Sequence, residues 1–266
     1  MFRRLQHLLF LVIVPIPVLL AADDEGILLP VPEVLNAAAR QMAMPELGES
    51  RIAQIMERYY NDSLGGSDQW EQIKSLNVDG EIETDSGILR LSAYQKKPNL
   101  SKLILENEVA RNAITLSYDG EVAWKQLGRR GKPQIMDPVE ARRFIHTSHF
   151  GNYLLYPFAK GKTIRLIDTV PVEGAICHQI RVDLDTGYQV DYFIDIRSYL
   201  EVKVINSDKV TGLTSSIVYK DYTRKHGFPI AQRVENYENG ELVSRLRVEE
   251  VKINSGVMPW MFEMPE

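Results

Sequence analysis

The chain has a single cysteine, Cys177, among its 266 residues. No intramolecular disulfide can form, so stability must come from burial alone. The sequence also has no G-x-S-x-G, no phosphate-binding glycine loop and no zinc-ligand spacing, which removes the usual carriers of nucleophilic, nucleotide and metal chemistry. Basic residues are in deficit: 31 Lys and Arg stand against 36 Asp and Glu, for a formal charge of −5. Such a surface is a poor fit to nucleic acid, where basic patches supply most of the affinity. Internal repeats and low-complexity tracts are absent as well.

The first 24 residues, MFRRLQHLLFLVIVPIPVLLAADD, set Arg3 and Arg4 before an apolar run from Leu8 to Leu20 and end in Ala21 and Ala22. This pattern predicts a secretory signal peptide over residues 1–22. The run is broken by Pro15 and Pro17 and is shorter than the ~20 residues a spanning helix needs. Residues 23–266 are then one exported domain, expected in the periplasm and without a lipid anchor, because no cysteine stands at the cleavage site. Losing Arg3 and Arg4 moves the formal charge from −5 to −7.

The most informative stretch is Ser86 to Leu127, which reads as four short consecutive β-strands. Ile114, Leu116 and Tyr118 alternate with Thr115 and Ser117, the period of two of a half-buried sheet. Asp119-Gly120 then predicts a type I′ hairpin, with Val122 and Trp124 resuming the apolar face. Pro98 has no N–H for a ladder, so Lys96 to Asn99 should end a strand or form an edge. Upstream, Leu76, Val78 and Ile82 mark a strand in which Gly80 suggests a bulge or bend. Downstream, alternating runs separated by Asp185-Thr186-Gly187 and Asn239-Gly240 predict more antiparallel strands.

Helical spacing occurs in three places. Glu33 to Met42 carries one apolar stripe; Ser50 caps a second helix with Ile52, Ile55, Met56, Tyr59 and Tyr60; Asp137 and Pro138 start a third with Ala141, Phe144 and Ile145. Met56 and Tyr60 read as ordinary core ahead of ligand contacts, and Phe144, Phe150 and Leu154 read at least as well as core.

No catalytic constellation emerges. Asp183, Asp185, Asp191 and Asp195 share one strand parity opposite Val182, Leu184, Val190 and Ile194, and so fall on the solvated side of a sheet. His146 and His149 are three apart on a helix, but no third His and no Cys lies nearby, so neither a metal nor a cofactor is expected. Cys177 and His178 are adjacent on a strand and point to opposite faces. The chain is expected not to be an enzyme.

Gln95-Lys96-Lys97-Pro98-Asn99-Leu100 followed by SYDGEVAW from Ser117 to Trp124 resembles the LolA family of periplasmic lipoprotein carriers, which has K-R-P-N-L and then S-D-G-x-x-x-W. Met261-Phe262-Glu263-Met264-Pro265 is similar to the F-x-x-P ending of such domains. The resemblance implies an α+β fold, mainly antiparallel β: a strongly curved half-barrel sheet covered by lid helices. It also implies an apolar cavity for an acylated lipoprotein or lipid, for which Met56, Tyr60, Tyr94, Trp124, Phe144 and Phe150 are the candidate walls. Lys97 occupies the position of the family's latch arginine; lacking the planar fork of arginine, it should hold the lid more weakly or not at all. Three readings follow: a carrier or binder of acylated ligands, a sensor like the RseB-type envelope-stress regulators acting through an envelope membrane protein, or a structural envelope protein with a filled cavity.

Overall fold

The computed structural model describes residues 50–265 except 108, 110, 149 and 155–161, together with the paired dipeptides Phe10–Leu11 and Val14–Pro15. The helix expected over Glu33 to Met42 and most of the leader lie outside the described residues.

Helix α1 (Arg51–Arg58) starts where Ser50 Oγ accepts from the Ala53 amide at 3.2 Å, the predicted cap. It runs on as a π turn, Tyr59–Ser63. A short helix, α2 (Ser67–Gln72), follows; its SDQWEQ sequence has too little apolar periodicity to be seen in advance. Thirteen strands make one antiparallel sheet: β1 Ser75–Thr84, β2 Gly87–Lys96, β3 Leu100–Asn107, β4 Asn112–Tyr118, β5 Ala123–Leu127, β6 Gln134–Ile135, β7 Lys162–Val172, β8 Ala175–Leu184, β9 Tyr188–Asp195, β10 Glu201–Asp208, β11 Thr214–Lys225, β12 Phe228–Glu238 and β13 Glu241–Ile253. Helix α3 (Pro138–Ser148) lies between β6 and β7 in the chain. Its first turn is capped by Asp137, whose carboxylate accepts from the Glu140 amide at 2.9 Å.

The order in space is β6-β5-β4-β3-β2-β1-β13-β12-β11-β10-β9-β8-β7. Chain start and end of the sheet meet at β1–β13, while β6 and β7 are its two open edges. The sheet is not closed, and this is the mainly antiparallel half-barrel with a helix lid that the motif resemblance implies. Three devices bend or turn it. At β1 and β13 the register shifts by one residue so that Gly80 faces Val248 and Asp79 faces Glu250; a Cβ on Gly80 would collide with the Arg247 carbonyl oxygen. Asn239 and Gly240 both have positive φ, 49° and 86°, the predicted type I′ turn. Asp119-Gly120 turns differently from expectation. Tyr118 pairs with Ala123 across a four-residue loop, and the Asp119 carboxylate accepts from the Glu121 and Val122 amides at 2.9 and 2.7 Å, so the aspartate closes the loop with its side chain rather than with a positive φ.

One face carries a continuous apolar layer. Leu76, Val78, Ile82, Leu91, Leu103, Leu116, Ile180, Val190, Ile217 and Leu246 are buried there against Ile55, Met56, Phe144 and Ile145 of the helices. The opposite face carries a row of directly paired residues, Asn77, Tyr94, Lys102, Ser117 and Trp124. The C-terminal turn Pro259–Phe262 covers the Trp124 end of this row. Replacing Gly80→Ala should destabilise the protein by about 1–3 kcal/mol, because a methyl group meets backbone that cannot yield locally; a fall in the urea midpoint with unchanged m-value would show it.

Candidate functional site

The helix-covered face is where the functional argument concentrates. Met56 and Phe150 are fully buried, Tyr60 and Phe144 nearly so, and Leu154 is fully buried beside them. The Tyr60 hydroxyl donates to the Leu154 carbonyl at 2.6 Å, joining α1 to the segment after α3. Phe150 packs on Trp70 of α2, ring centroids 5.3 Å apart.

Tyr94 and Trp124 require a correction. Trp124 pairs with Ser117, Ser117 with Lys102 and Lys102 with Tyr94, and directly opposed residues share a face. That face is the one away from the helices. Trp124 Nε1 donates to the Phe262 carbonyl at 2.8 Å, and Ser117 Oγ donates to the same oxygen at 2.8 Å. The expectation assumed that Trp124 keeps the phase of Tyr118, but the four-residue loop pairs Tyr118 with Ala123 and so puts Ala123 on the helix side. Trp124 is therefore a clasp for the C-terminal turn, and Tyr94 stands half-buried on the same side.

Lys97 does reach the helices. Its Nζ donates to the Trp70 carbonyl at 2.6 Å and sits 4.3 Å from the Trp70 ring centroid and 5.5 Å from that of Phe150. Burial, and secondarily the charge of Lys74, lower its pKa to about 8 against the opposing pull of Glu71.

Two ion pairs that sequence reasoning missed secure α3 across the open sheet. On one side Lys125 of β5 meets Glu140 at 2.5 Å, both largely buried. On the other, Arg142 grips Asp208 of β10 bidentately, at 2.9 and 3.0 Å, with both side chains at most 5% exposed. Arg142 also donates to the Thr186 carbonyl at 2.9 Å and lies over the Tyr188 ring at 4.1 Å. Burial alone would raise the Asp208 carboxyl; the Arg142 hydrogen bonds and charge override it and hold the pKa at about 2. His146 stacks on Tyr188 at 3.6 Å, with Nδ1 2.7 Å from the Tyr153 hydroxyl and Nε2 3.3 Å from Asn206 Oδ1. Its ring is thus a packing element, and among the described residues no group of three His, Cys, Asp or Glu is placed to hold a metal. Asp191, expected on a solvated face, is buried and paired with Arg181 at 2.6 and 2.8 Å. Cys177 is buried, its thiol pushed up to about 11 by burial and then by Asp195.

Between α1, α2 and strands β10 to β12 a pocket of about 80 Å³ remains, lined by Tyr59, Trp70, Asn152, Glu201, Tyr219, Tyr222 and Phe228 among others. This is well below the ~300–1,000 Å³ of ordinary small-molecule sites. Glu201 is its polar feature. Tyr59 Oη donates to Glu201 Oε1 at 2.5 Å, and Asn152 Nδ2 donates to the same oxygen. Burial raises the Glu201 carboxyl to about 7 despite those two donors. Nothing in the local sequence announces this cluster, since its members come from four separate parts of the chain.

Neither a protein-family model nor a curated protein sequence matches the chain. Solved structures do. The chain is similar to a domain named for outer membrane lipoprotein sorting from Vibrio parahaemolyticus, at TM-score 0.52 and 10% identity, over 77% of this chain and 93% of that one. A LolA superfamily protein from Nitrosomonas europaea matches at 0.51 and 13%, over 79% and 96%. A DUF1329 family protein from Desulfovibrio piger matches at 0.57 and 9%, over 81% and 98%. The chain has a LolA-like fold.

Removing Arg142 should leave Asp208 charged and unpaired in the interior, so Arg142→Ala should cost about 3–5 kcal/mol, while Arg142→Met with Asp208→Leu should recover most of it; denaturant midpoints of the three proteins test this. The Glu201 proton is held more tightly in the folded protein than in the unfolded chain, whose carboxyl titrates near 4.5. The cost of its buried charge is therefore fully present above about pH 7 and is relieved as pH falls toward 4.5. Relative to Glu201→Gln, wild type should gain stability on going from about pH 8 to about pH 5, read as the difference between the two proteins' urea midpoints.

Proposed function

Starting from a LolA-like fold whose lid is strapped by ion pairs, we propose that the protein is a periplasmic binder or carrier of acylated or otherwise hydrophobic ligands, taken up between the sheet and helices α1 to α3. The observation that carries this reading is the lid itself. Helix α3 covers an apolar sheet face, yet its fastenings to β5 and β10 are Lys125–Glu140 and Arg142–Asp208. A purely apolar seam loses burial for every ångström it opens. Charged partners that separate into water regain their hydration, so such a seam can open at less net cost. Each acyl CH₂ entering the opened space then contributes about 0.8 kcal/mol.

Met56, Tyr60, Phe144 and Phe150 are the proposed walls, exchanging contacts with one another for contacts with the ligand. Lys97 serves as a single-donor latch on α2 through the Trp70 carbonyl. An acylated lipoprotein is the proposed cargo and an envelope membrane protein the proposed donor or acceptor. Binding and release need no covalent step, in keeping with the lack of a catalytic constellation in the sequence.

Purification from the native host under mild conditions, followed by native and denaturing mass spectrometry, should reveal a co-purified acylated ligand, lost in Phe144→Asp. Wild-type protein should also take up a fluorescent fatty acid saturably at one site. A ligand-free protein that shows no such uptake removes the carrier reading, and the fatty-acid arm keeps that conclusion independent of whether Phe144→Asp folds.

A further inference from the structure

The pocket around Glu201 has a chemistry that acyl binding does not call for. Tyr59, Trp70, Tyr219, Tyr222 and Phe228 contribute rings to its lining, and Trp70 stacks on Phe228 with centroids 5.9 Å apart. The Tyr222 hydroxyl is turned to the Glu201 backbone carbonyl at 2.8 Å, and that of Tyr59 to the carboxylate. Burial first, then the Glu201 charge, pushes the Tyr59, Tyr219 and Tyr222 phenols well above their usual range, so these rings stay neutral. Among the described residues no Lys, Arg or His forms an ion pair with Glu201; its recorded donors are a phenol and an amide. Among the described residues both donors fall on Oε1.

A carboxylate in a wall of aromatic rings is an arrangement suited to an organic cation. The ring faces carry negative potential that attracts an ammonium by up to about 2 kcal/mol when water is excluded, and the carboxylate supplies a full countercharge. A neutral alkyl group would use the rings and waste the carboxylate. An anion would meet repulsion from both. We propose that this pocket binds an alkylammonium group, as carried by an amine-bearing lipid headgroup or a free amine, with Glu201 as countercharge and Tyr59, Trp70, Tyr219, Tyr222 and Phe228 as its cage. The site stands by itself in the geometry and adds a selective polar subsite to the hydrophobic binding proposed above.

Calorimetric titration of the full chain separates the two ideas. Tetramethylammonium chloride should bind saturably where sodium chloride does not, and octyltrimethylammonium should bind about tenfold or more tighter than octanol. Glu201→Gln keeps an acceptor for Tyr59 and Asn152 while removing the charge; it should weaken tetramethylammonium binding about tenfold or more. Equal affinity for octyltrimethylammonium and octanol, or unchanged affinity in a folded Glu201→Gln, overturns the cage. Should tetramethylammonium bind and the octyl tail add nothing, the cage stands and the acyl reading falls. If octanol binds and tetramethylammonium does not, the reverse holds. A lipid headgroup is told from a free amine by whether vesicles containing phosphatidylethanolamine compete with tetramethylammonium more strongly than ethanolamine does.

Discussion

The bidentate contact between Arg142 and Asp208 is the constraint around which the helix-covered side is arranged. An unclosed sheet leaves one apolar face that must be roofed, and α3 is the described element that reaches from β5 on one side to β10 on the other. Its roofing position is fixed by a guanidinium that takes two carboxylate oxygens, a backbone carbonyl and an aromatic face together. Few other side chains can meet four partners at once with planar geometry. Phe144, two residues further along the helix, is thereby delivered into the core, and His146 onto Tyr188.

In this structure the roof is therefore set in register by its polar contacts and filled in by its apolar ones. Hydrogen-bonded charge pairs permit one geometry, so α3 is held in register on both sides of the sheet. Beneath it, Met56, Phe144, Phe150 and Leu154 make contacts that depend on shape alone. Their positions can be taken by other apolar atoms without leaving a polar group unpaired.

The far face shows the opposite economy. Lys102, Ser117 and Trp124 each donate to backbone carbonyls of Met261 and Phe262, at 2.8 Å in every case. Three donors on two adjacent carbonyls pin the C-terminal turn to the strands that carry the motif resemblance. Ser117 and Trp124 of the S-D-G-x-x-x-W element and Phe262 of F-x-x-P thus form two halves of one structural clasp on the face away from the helices.

The sequence by itself determined the elements that depend on near neighbours. Alternation in β1 to β4, the Asn239-Gly240 turn, the Ser50 and Asp137 caps and the bend at Gly80 are each set by a few adjacent residues, while the LolA-like architecture was implied by the motif resemblance. Only the tertiary structure decided which face Trp124 and Tyr94 take: the phase of Tyr118 does not run straight on through the loop, since Tyr118 faces Ala123 and Trp124 faces Ser117, and Ser117 is joined through Lys102 to Tyr94. The lid fastenings and the Glu201 pocket were likewise out of reach. Arg142 and Asp208 are 66 residues apart and Tyr59 and Glu201 are 142 apart, and a lone charged residue carries no local mark of the partner that a curved sheet will bring to it.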